Sequence, residues 1–264
     1  MLKTSRIPLF LQLPVFLLVL TFFTSPVDAD FFDVETTQVG GFFETGTPDN
    51  EATFQNYFVG LSTPAGSSTP LPERRSFFIF DIPEFGPDET LVDATFSIYL
   101  PTEFSIPANF TGGIEVFDIT SSDFTAEEIL DPVGFGLAPE EIFPTFGFGD
   151  FYGDAVFEEA DPPTGPFPLE IVIPLSPTAI DDIAMSAGGK FVITGRMASY
   201  DPAPDASAEI IFSLSDLVVG GSETSLPSPF LSLTTIPEPN AVALLAVISC
   251  IGFSRIRRRR IRRS

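Results

Sequence analysis

Carboxylates are the side chains through which the body of this chain could do acid–base or metal chemistry. The sequence contains no histidine, and its single cysteine is Cys250. A Ser-His-Asp or Cys-His centre is therefore excluded, and so are the usual zinc, copper and haem ligand sets. Paired carboxylates suffice for the general acid and base of a glycosidase. Two groups of carboxylates lie close together in sequence: Asp150, Asp154, Glu158, Glu159 and Asp161, and Asp201, Asp205 and Glu209.

The same oxygen atoms would suit a calcium ion, which binds Asp and Glu side chains and backbone carbonyls. No stretch has the spacing of an EF-hand or of a glycine–aspartate repeat. Asp150 and Asp154 are the first pair that we expect to hold a structural calcium ion, and we expect no other cofactor. In so acidic a chain most neighbouring carboxylates are solvated loop charges. We therefore expect a non-enzymatic protein, with a carboxylate-dependent glycan hydrolase or lyase as the alternative.

The body of the chain is strongly negative. All 36 acidic residues except Asp28 and Glu238 lie between residues 30 and 235. The same stretch contains only four basic residues: Arg74, Arg75, Lys190 and Arg196. Such a surface repels nucleic acid and anionic membranes. Two interpretations are open for the adjacent arginines, a site for an acidic glycan or the neutralisation of crowded carboxylates such as Asp81.

The first 29 residues have the three parts of a secretory signal peptide. Two basic residues precede an apolar run over residues 7–23, and Val27 and Ala29 place small side chains at the two positions that a signal peptidase reads. We expect cleavage after Ala29 and export through the general route. The exported body, residues 30–235, contains no cysteine and forms no internal disulfide.

The other end of the chain has the composition of a short membrane segment. Residues 241–253 carry no charge, and they are followed by seven arginines: Arg255, Arg257, Arg258, Arg259, Arg260, Arg262 and Arg263. Charge in this position holds a tail on the cytoplasmic side while the export signal places the body outside. From Pro239 to Phe253 a helix would span about 22 Å, against about 30 Å for the hydrocarbon core. We therefore expect a temporary stop in the inner membrane, with a permanently tail-anchored envelope protein as the alternative.

Pro237, Glu238 and Pro239 lie directly before this segment. A Pro-Glu-Pro triplet, a short apolar helix and a terminal arginine cluster, in this order over residues 236–264, resemble the PEP-CTERM sorting signal of Gram-negative bacteria. The resemblance implies that an exosortase, a membrane-embedded cysteine protease, recognises the triplet as substrate and cuts near it. The protein would then reach the cell surface or the extracellular space. Because Asn240 stands where a small hydroxyl residue is expected, the sequence leaves the position of the cut open.

Period-two alternation and turn residues predict β-strands throughout the body. The clearest strand covers residues 91–100, and residues 76–82 are apolar on both faces, which predicts a strand at the centre of the domain. Further strands are predicted at residues 54–59, 113–119, 151–157, 169–173, 190–195, 209–214 and 230–234. The βα alternation of a parallel sheet is missing. The pattern therefore predicts an all-β fold, a single antiparallel β-sandwich.

Two short helices are expected among the strands. A capping box at Thr125 begins a helix that ends near Leu130. Ser176, followed by proline, begins a second helix over residues 177–187. Residues 131–144 are rich in proline and glycine, and we expect them to form an exposed loop.

The order of these segments resembles a recurring all-β domain of exported bacterial proteins, which is similar in layout to the jelly rolls of carbohydrate-binding modules. The resemblance lies in residues 56–60, 74–83, 91–100, 115–120, 152–157, 173–183 and 187–197. It implies a jelly-roll-like sandwich over residues 30–235 and no particular activity. By analogy we expect an envelope or biofilm-matrix protein. Its expected partners are the export machinery, an exosortase, the membrane through the C-terminal helix, and extracellular polysaccharide, but not nucleic acid.

Overall fold

The structure of the protein is a computed structural model. It describes residues 29–49, 59–60, 72–100, 114–158, 169–198, 210–211, 216–219, 222–225 and 227–238. The strands in these ranges are β1 (Asp30–Phe43), β2 (Pro48–Asp49), β3 (Val59–Gly60), β4 (Arg74–Asp81), β5 (Glu89–Leu100), β6 (Ile114–Thr120), β7 (Phe151–Glu158), β8 (Leu169–Pro174), β9 (Lys190–Met197), β10 (Ile210–Ile211), β11 (Asp216–Val219), β12 (Ser222–Ser225) and β13 (Phe230–Pro237). The helices are α1 (Ala126–Leu130), α2 (Pro139–Ile142) and α3 (Pro177–Met185), with two 3-10 turns, Val133–Phe135 and Phe143–Thr145.

Neighbouring strands pair antiparallel, in the order β7-β6-β9-β4-β1-β13-β5-β8. The short strands β2, β3 and β10 extend this sheet, and β11 and β12 form a separate hairpin. The predicted antiparallel all-β fold is confirmed. Seven predicted strands are confirmed to within three residues at each end: 76–82, 91–100, 113–119, 151–157, 169–173, 190–195 and 230–234. Of those predicted at 54–59 and 209–214, the described residues cover only β3 and β10.

β1 is a long strand of the main sheet that the sequence pattern did not predict. Its first half, residues 30–35, pairs with β13, and from Thr36 onward it pairs with β4. A bulge after Thr36 and two glycines, Gly40 and Gly41, interrupt the alternation that would have identified it. A Cβ on Gly41 would lie 2.7 Å from the backbone oxygen of Arg75, so the close approach of β1 to β4 requires glycine there.

β1 divides the sheet into two halves, β7-β6-β9-β4 on one side and β13-β5-β8 on the other. Because β1 pairs with both halves, the strands form one sheet that folds over on itself around a core. The rings of Phe78 on β4 and Phe96 on β5 meet across this core with centroids 4.9 Å apart. At the two edges, the backbone N–H of Ser176 donates to the Tyr152 carbonyl at 2.7 Å, and its hydroxyl donates to the Phe151 carbonyl at 3.0 Å. These bonds join the chain that follows β8 to β7. The sheet is therefore nearly closed.

β4 is buried on both faces, as its composition predicts. Phe78 and Phe80 belong to the core between the two halves, whereas Phe77 and Ile79 belong to a second cluster on the outer face of the sheet. α1, α2 and the 3-10 turn that follows α2 cover this outer face. The members of the second cluster are Phe42, Phe77, Ile79, Ala126, Ile129, Ile142, Phe143, Phe146 and Val192.

The prediction of an exposed loop over residues 131–144 is confirmed only in part, because most of these residues are exposed but they do not form a plain loop. α2, the 3-10 turn Val133–Phe135 and part of the second 3-10 turn lie in this stretch, and Ile142 and Phe143 are buried against β4. Pro139 begins α2, and the carboxylate of Glu141 accepts a bond from the backbone N–H of Ala138 at 3.0 Å. Pro139 at the start of α2 is compatible with a helix, because its fixed φ suits the first helical turn. The two helices that were predicted, α1 and α3, are confirmed with their N-caps.

The last strand that the structure describes extends beyond the predicted end of the body. β13 continues from Thr235 through Ile236 and Pro237. Residues 1–28 of the predicted signal peptide (1–29) and residues 239–264 of the predicted tail (236–264) lie outside the described residues. Within the described part of the chain, no helix combines the length and the apolar composition that crossing a bilayer requires.

Candidate functional site

The predicted sorting triplet begins at one end of the sheet, beside the start of the domain. Asp30 pairs with Thr235 in antiparallel register, and Thr235 pairs on its other side with Leu91. Ala29, after which signal cleavage is predicted, directly precedes β1. The chain therefore enters and leaves the domain at neighbouring positions. We call this region the exit end, and its residues are Asp30, Thr90, Thr235, Pro237 and Glu238.

The first two residues of the triplet are held against β5. Pro237 is the last residue of β13, and both Pro237 and Glu238 are exposed. The backbone N–H of Glu238 donates to the carbonyl of Asp88, and the hydroxyl of Thr90 donates to the Glu238 carboxylate at 3.0 Å. Pro239 lies outside the described residues, as do the seven predicted cytoplasmic arginines. The described contacts of β13 with β5 thus end at Glu238.

Arg75 is a structural residue of the interior. Its guanidinium forms two bonds with the carboxylate of Glu73, at 2.9 and 3.1 Å, and donates to the carbonyls of Phe143 and Phe146 at 3.1 and 3.2 Å. It also lies 4.2 Å from the ring centroid of Phe143. Arg75 is 8% exposed and Glu73 is 5% exposed. The charge-neutralising interpretation is supported here, with Glu73 rather than Asp81 as the partner.

Arg74 does not join Arg75 in one anion site. Successive residues of a strand point to opposite faces, so the two guanidiniums diverge. The guanidinium of Arg74 lies 5.1 Å from the ring centroid of Phe43. Burial lowers the pKa of Arg74 to about 10. Because this pKa is still well above 7, the guanidinium remains protonated at neutral pH.

The other two body cations each face a carboxylate. Lys190 lies 2.9 Å from Asp81 in an exposed pair, and Arg196 lies 3.5 Å from Asp118. Asp118 is also directly opposite Asp154 in the register of β6 and β7. Burial raises the pKa of Asp118, the positive charge of Arg196 opposes that shift, and the negative charge of Asp154 adds to it.

The structure does not bring Asp150 and Asp154 together. The backbone N–H of Asp150, just before β7, donates to the Ser121 hydroxyl at 2.8 Å, and both aspartates are exposed. Four residues of extended strand span about 13 Å. In the ranges that the structure describes, no three Asp, Glu, His or Cys residues form a group that could hold a metal ion. Glu158 ends β7, and the other predicted carboxylates lie outside the described residues: Glu159, Asp161, Asp201, Asp205 and Glu209.

A cleft of about 550 Å³ lies between α1, the end of α3 and the start of β9. Its volume is within the range of about 300–1,000 Å³ that small-ligand sites occupy. Phe191 and Val192, which are buried, form part of its lining. Most of the lining side chains are polar: Ser121, Ser122, Thr125, Glu127, Tyr152, Asp182, Ser186 and Lys190.

Tyr152 and Asp182 are bonded to each other within this cleft. The Tyr152 hydroxyl donates to the Asp182 carboxylate at 2.7 Å, and the tyrosine ring stacks on Phe191 with centroids 5.7 Å apart. Burial raises the pKa of Tyr152 well above its ordinary value, the hydrogen bond and charge of Asp182 add to the shift, and a hydrogen bond with Ser121 opposes it. The tyrosine therefore stays protonated and orients the carboxylate as a hydrogen-bond acceptor.

The sequence pattern did not identify the cleft. Its lining comes from segments that are far apart in the chain, and each segment taken alone has ordinary surface residues. The two cap signals, Thr125 and Ser176, located the helices that form its walls but gave no reason to place them side by side.

Comparison with known proteins assigns no family. No protein-family model matches the chain, and no curated protein matches it.

Proposed function

We propose that this chain is a non-enzymatic exported protein that is sorted through its C-terminal tail to the cell surface or the extracellular matrix. Residues 1–29 direct export, and residues 241–253 with the arginines behind them stop the chain in the inner membrane. An exosortase then processes the chain at Pro237, Glu238 and Pro239. The charge of the tail supports this route, because seven guanidiniums behind a short apolar segment are costly to move through a bilayer.

The observation that carries the proposal is the pairing of Asp30 with Thr235. A chain exported by an N-terminal signal and stopped by a C-terminal segment has both ends of its body at the outer face of one membrane. In an antiparallel pair the two Cα atoms are about 5 Å apart. The domain can therefore fold while both ends remain at the membrane, without a linker along its length.

We propose a jelly-roll-like sandwich whose two faces are the halves of the folded sheet, with β1 crossing from one to the other. Its surplus of carboxylates repels nucleic acid and anionic lipid. The membrane is then contacted through the tail, and the partners in the envelope are the export machinery and the exosortase.

Intact-mass analysis of protein recovered from the native host tests the sorting proposal. We expect a mature chain that begins at Asp30 and lacks the arginine cluster. Replacing the seven arginines by glutamine should release the chain unprocessed, whereas replacing them by lysine keeps the charge and should give wild-type processing. A chain that retains both Met1 and Ser264 contradicts the proposal. Loss of the signal with the arginine tail retained would instead establish the permanently anchored alternative.

We also propose that the cleft binds a neutral glycan of the matrix. Its hydroxyls and carboxylates are the groups that bond sugar hydroxyls. Glu127 and Asp182 outnumber the single ammonium of Lys190, so an anionic sugar is disfavoured. Phe124 and the exposed Met185 supply apolar surface for the ring of a sugar. We propose calcium only as a structural ion, and among the described residues no group of three carboxylates could hold it.

Affinity electrophoresis tests the glycan proposal. We expect the protein to be retarded in gels that contain a neutral polysaccharide such as dextran but not in gels that contain alginate, with no release of reducing ends. Asp182→Asn should abolish most of the retardation, whereas Asp181→Asn, which changes the exposed neighbour in α3, should not. Retardation that Asp182→Asn leaves intact contradicts binding in this cleft. Reducing ends that disappear with Asp182→Asn would favour the hydrolase alternative.

A further inference from the structure

The end of β13 limits the peptide bonds that a protease can reach in the folded protein. Up to Thr235 the strand lies between β1 and β5, and Ile236 and Pro237 continue to pair with Thr90 and Glu89 of β5. The backbone N–H of the next residue, Glu238, donates to the carbonyl of Asp88, the residue that precedes β5.

Opening this strand as far as Thr235 would disturb the core. Leu231 and Leu233 are fully buried, and Thr235 is 1% exposed. Proteases cut folded proteins where the backbone is already free or opens locally, and exposed residues beyond the last paired strand meet that condition best. Pro237 and Glu238 are exposed, but their backbone is held against β5.

We infer that the sorting cut lies on the C-terminal side of Glu238, so the mature protein keeps Pro237 and Glu238. This inference rests on the proposed sorting function. The bonds that remain before the apolar run are those after Glu238, Pro239 and Asn240. Hydrolysis adds one water across the bond, and it leaves a new carboxylate on the body and a new amine on the tail.

A side-chain bond adds to the backbone contacts that hold Glu238 on the domain. The Thr90 hydroxyl donates to the Glu238 carboxylate at 3.0 Å, across 148 residues of sequence. The glutamate of the triplet is therefore presented on the surface of the body.

C-terminal mass mapping of the mature protein tests this inference. A C-terminus at Glu238, Pro239 or Asn240 supports it. A C-terminus at Pro237 or earlier contradicts it while leaving the sorting proposal intact. A C-terminus at Ser264 contradicts the sorting proposal itself, and the inference with it.

A disulfide across the strand end gives an independent test. Ile236 and Thr90 are register partners, and the Cα separation of an antiparallel pair suits a disulfide. The full-length chain with Ile236→Cys and Thr90→Cys, and with Cys250→Ser to remove the other thiol, is incubated with native membranes in its bridged and its reduced form. We expect both forms to be processed to the same C-terminus, at rates within about twofold.

Processing of the reduced form alone would contradict the inference, because it would mean that the protease needs the strand end to open. The single variants Thr90→Val and Thr178→Val, the second in α3, separate loss of the Thr90 hydroxyl from a general effect of the substitution. Both should give the wild-type C-terminus, and Thr90→Val should be processed at least as fast as wild type. If the cysteine variant fails to fold, C-terminal mass mapping of the wild-type protein still tests the inference.

Discussion

At Arg75 a single guanidinium joins three parts of the molecule. It pairs with Glu73 just before β4, and it donates to the carbonyls of Phe143 and Phe146 in the outer layer, 68 and 71 residues away. Its donors are used by a carboxylate and two carbonyls, which is how a buried charge becomes tolerable in an apolar interior. The same contacts explain why an arginine pair in a nearly base-free body is not evidence for an acidic ligand.

We predict that Arg75→Ala lowers the free energy of unfolding by about 3–5 kcal/mol, because it leaves the buried Glu73 carboxylate without its partner. Lys190→Ala, which removes the exposed partner of Asp81, should cost less than about 1 kcal/mol. Urea unfolding of the two variants gives the comparison. Equal losses in both variants would show that Arg75 contributes no more than a surface ion pair.

Because of Tyr152, the free energy of unfolding of the domain should fall at alkaline pH. Its pKa is higher in the folded protein than the value of about 10 in an unfolded chain. Above pH 10 the unfolded chain loses a proton that the folded chain keeps, so the free energy of unfolding falls as pH rises, by at most about 1.4 kcal/mol per pH unit from this group.

We predict that Tyr152→Phe removes this contribution. Near pH 7 the variant should be less stable by about 1–2 kcal/mol, because the bond to Asp182 is lost. The difference between wild type and variant should shrink above pH 10. Urea unfolding at pH 7, 9 and 11 measures it. Tyr99, whose pKa is raised by burial and by Glu170 and Asp33, is present in both proteins and cancels in the comparison. A difference that stays constant with pH would contradict the prediction.

At the scale of elements, the near closure of the sheet depends on Gly153 of β7. A Cβ at this position would lie 2.8 Å from the carbonyl oxygen of Pro174 and 2.9 Å from a methyl group of Ile173, both on β8. Any larger residue must push the two edge strands apart. The backbone bond from Ser176 to Tyr152 lies in the same region, so the closure and the end of β8 are coupled.

We predict that Gly153→Ala lowers the free energy of unfolding by about 1–3 kcal/mol through overpacking. Gly189→Ala is the matched control, because the nearest atom to its Cβ would be 3.4 Å away. That variant should be neutral or slightly more stable, since alanine restricts the unfolded chain. Thermal unfolding followed by circular dichroism compares the two. A neutral Gly153→Ala would mean that the edges are further apart than described.

At the scale of the whole molecule, entry and exit of the chain are neighbours, and the core is built from both halves of the sheet. β13 is a central strand with β1 on one side and β5 on the other. β13, the last strand among the described residues, is therefore necessary for the core, and it includes Ile236 and Pro237, the first two residues of the predicted tail.

We predict that residues 30–238 fold without the signal peptide and the tail, whereas residues 30–229, which lack β13, do not. The shorter chain loses the fully buried Leu231 and Leu233 and exposes both neighbouring strands. Cooperative thermal unfolding should be seen for the longer chain alone. If the chain 30–238 fails to unfold cooperatively, the tail is part of the folded unit.

Local features were predictable from the sequence because they depend on neighbours in the chain. Alternating apolar residues identified β5, β6, β7, β9 and the core of β13, and hydroxyl and proline caps identified α1 and α3. The lack of histidine and of body cysteine excluded whole classes of chemistry. β1 was missed because a bulge and two glycines break its period, and α2 because the prolines and glycines around it are equally typical of a loop.

The sequence by itself determined that this chain makes an antiparallel β-fold with a strongly acidic body between an export-like start and an arginine-rich end. Only the tertiary structure decided that Asp30 lies beside Thr235, that Arg75 neutralises Glu73, and that Tyr152, Asp182 and Ser121 line one cleft. The physical reason is separation along the chain. Strand period and helix caps act over a few residues, whereas these contacts depend on how β1 bridges the two halves, and on packing that no local pattern encodes.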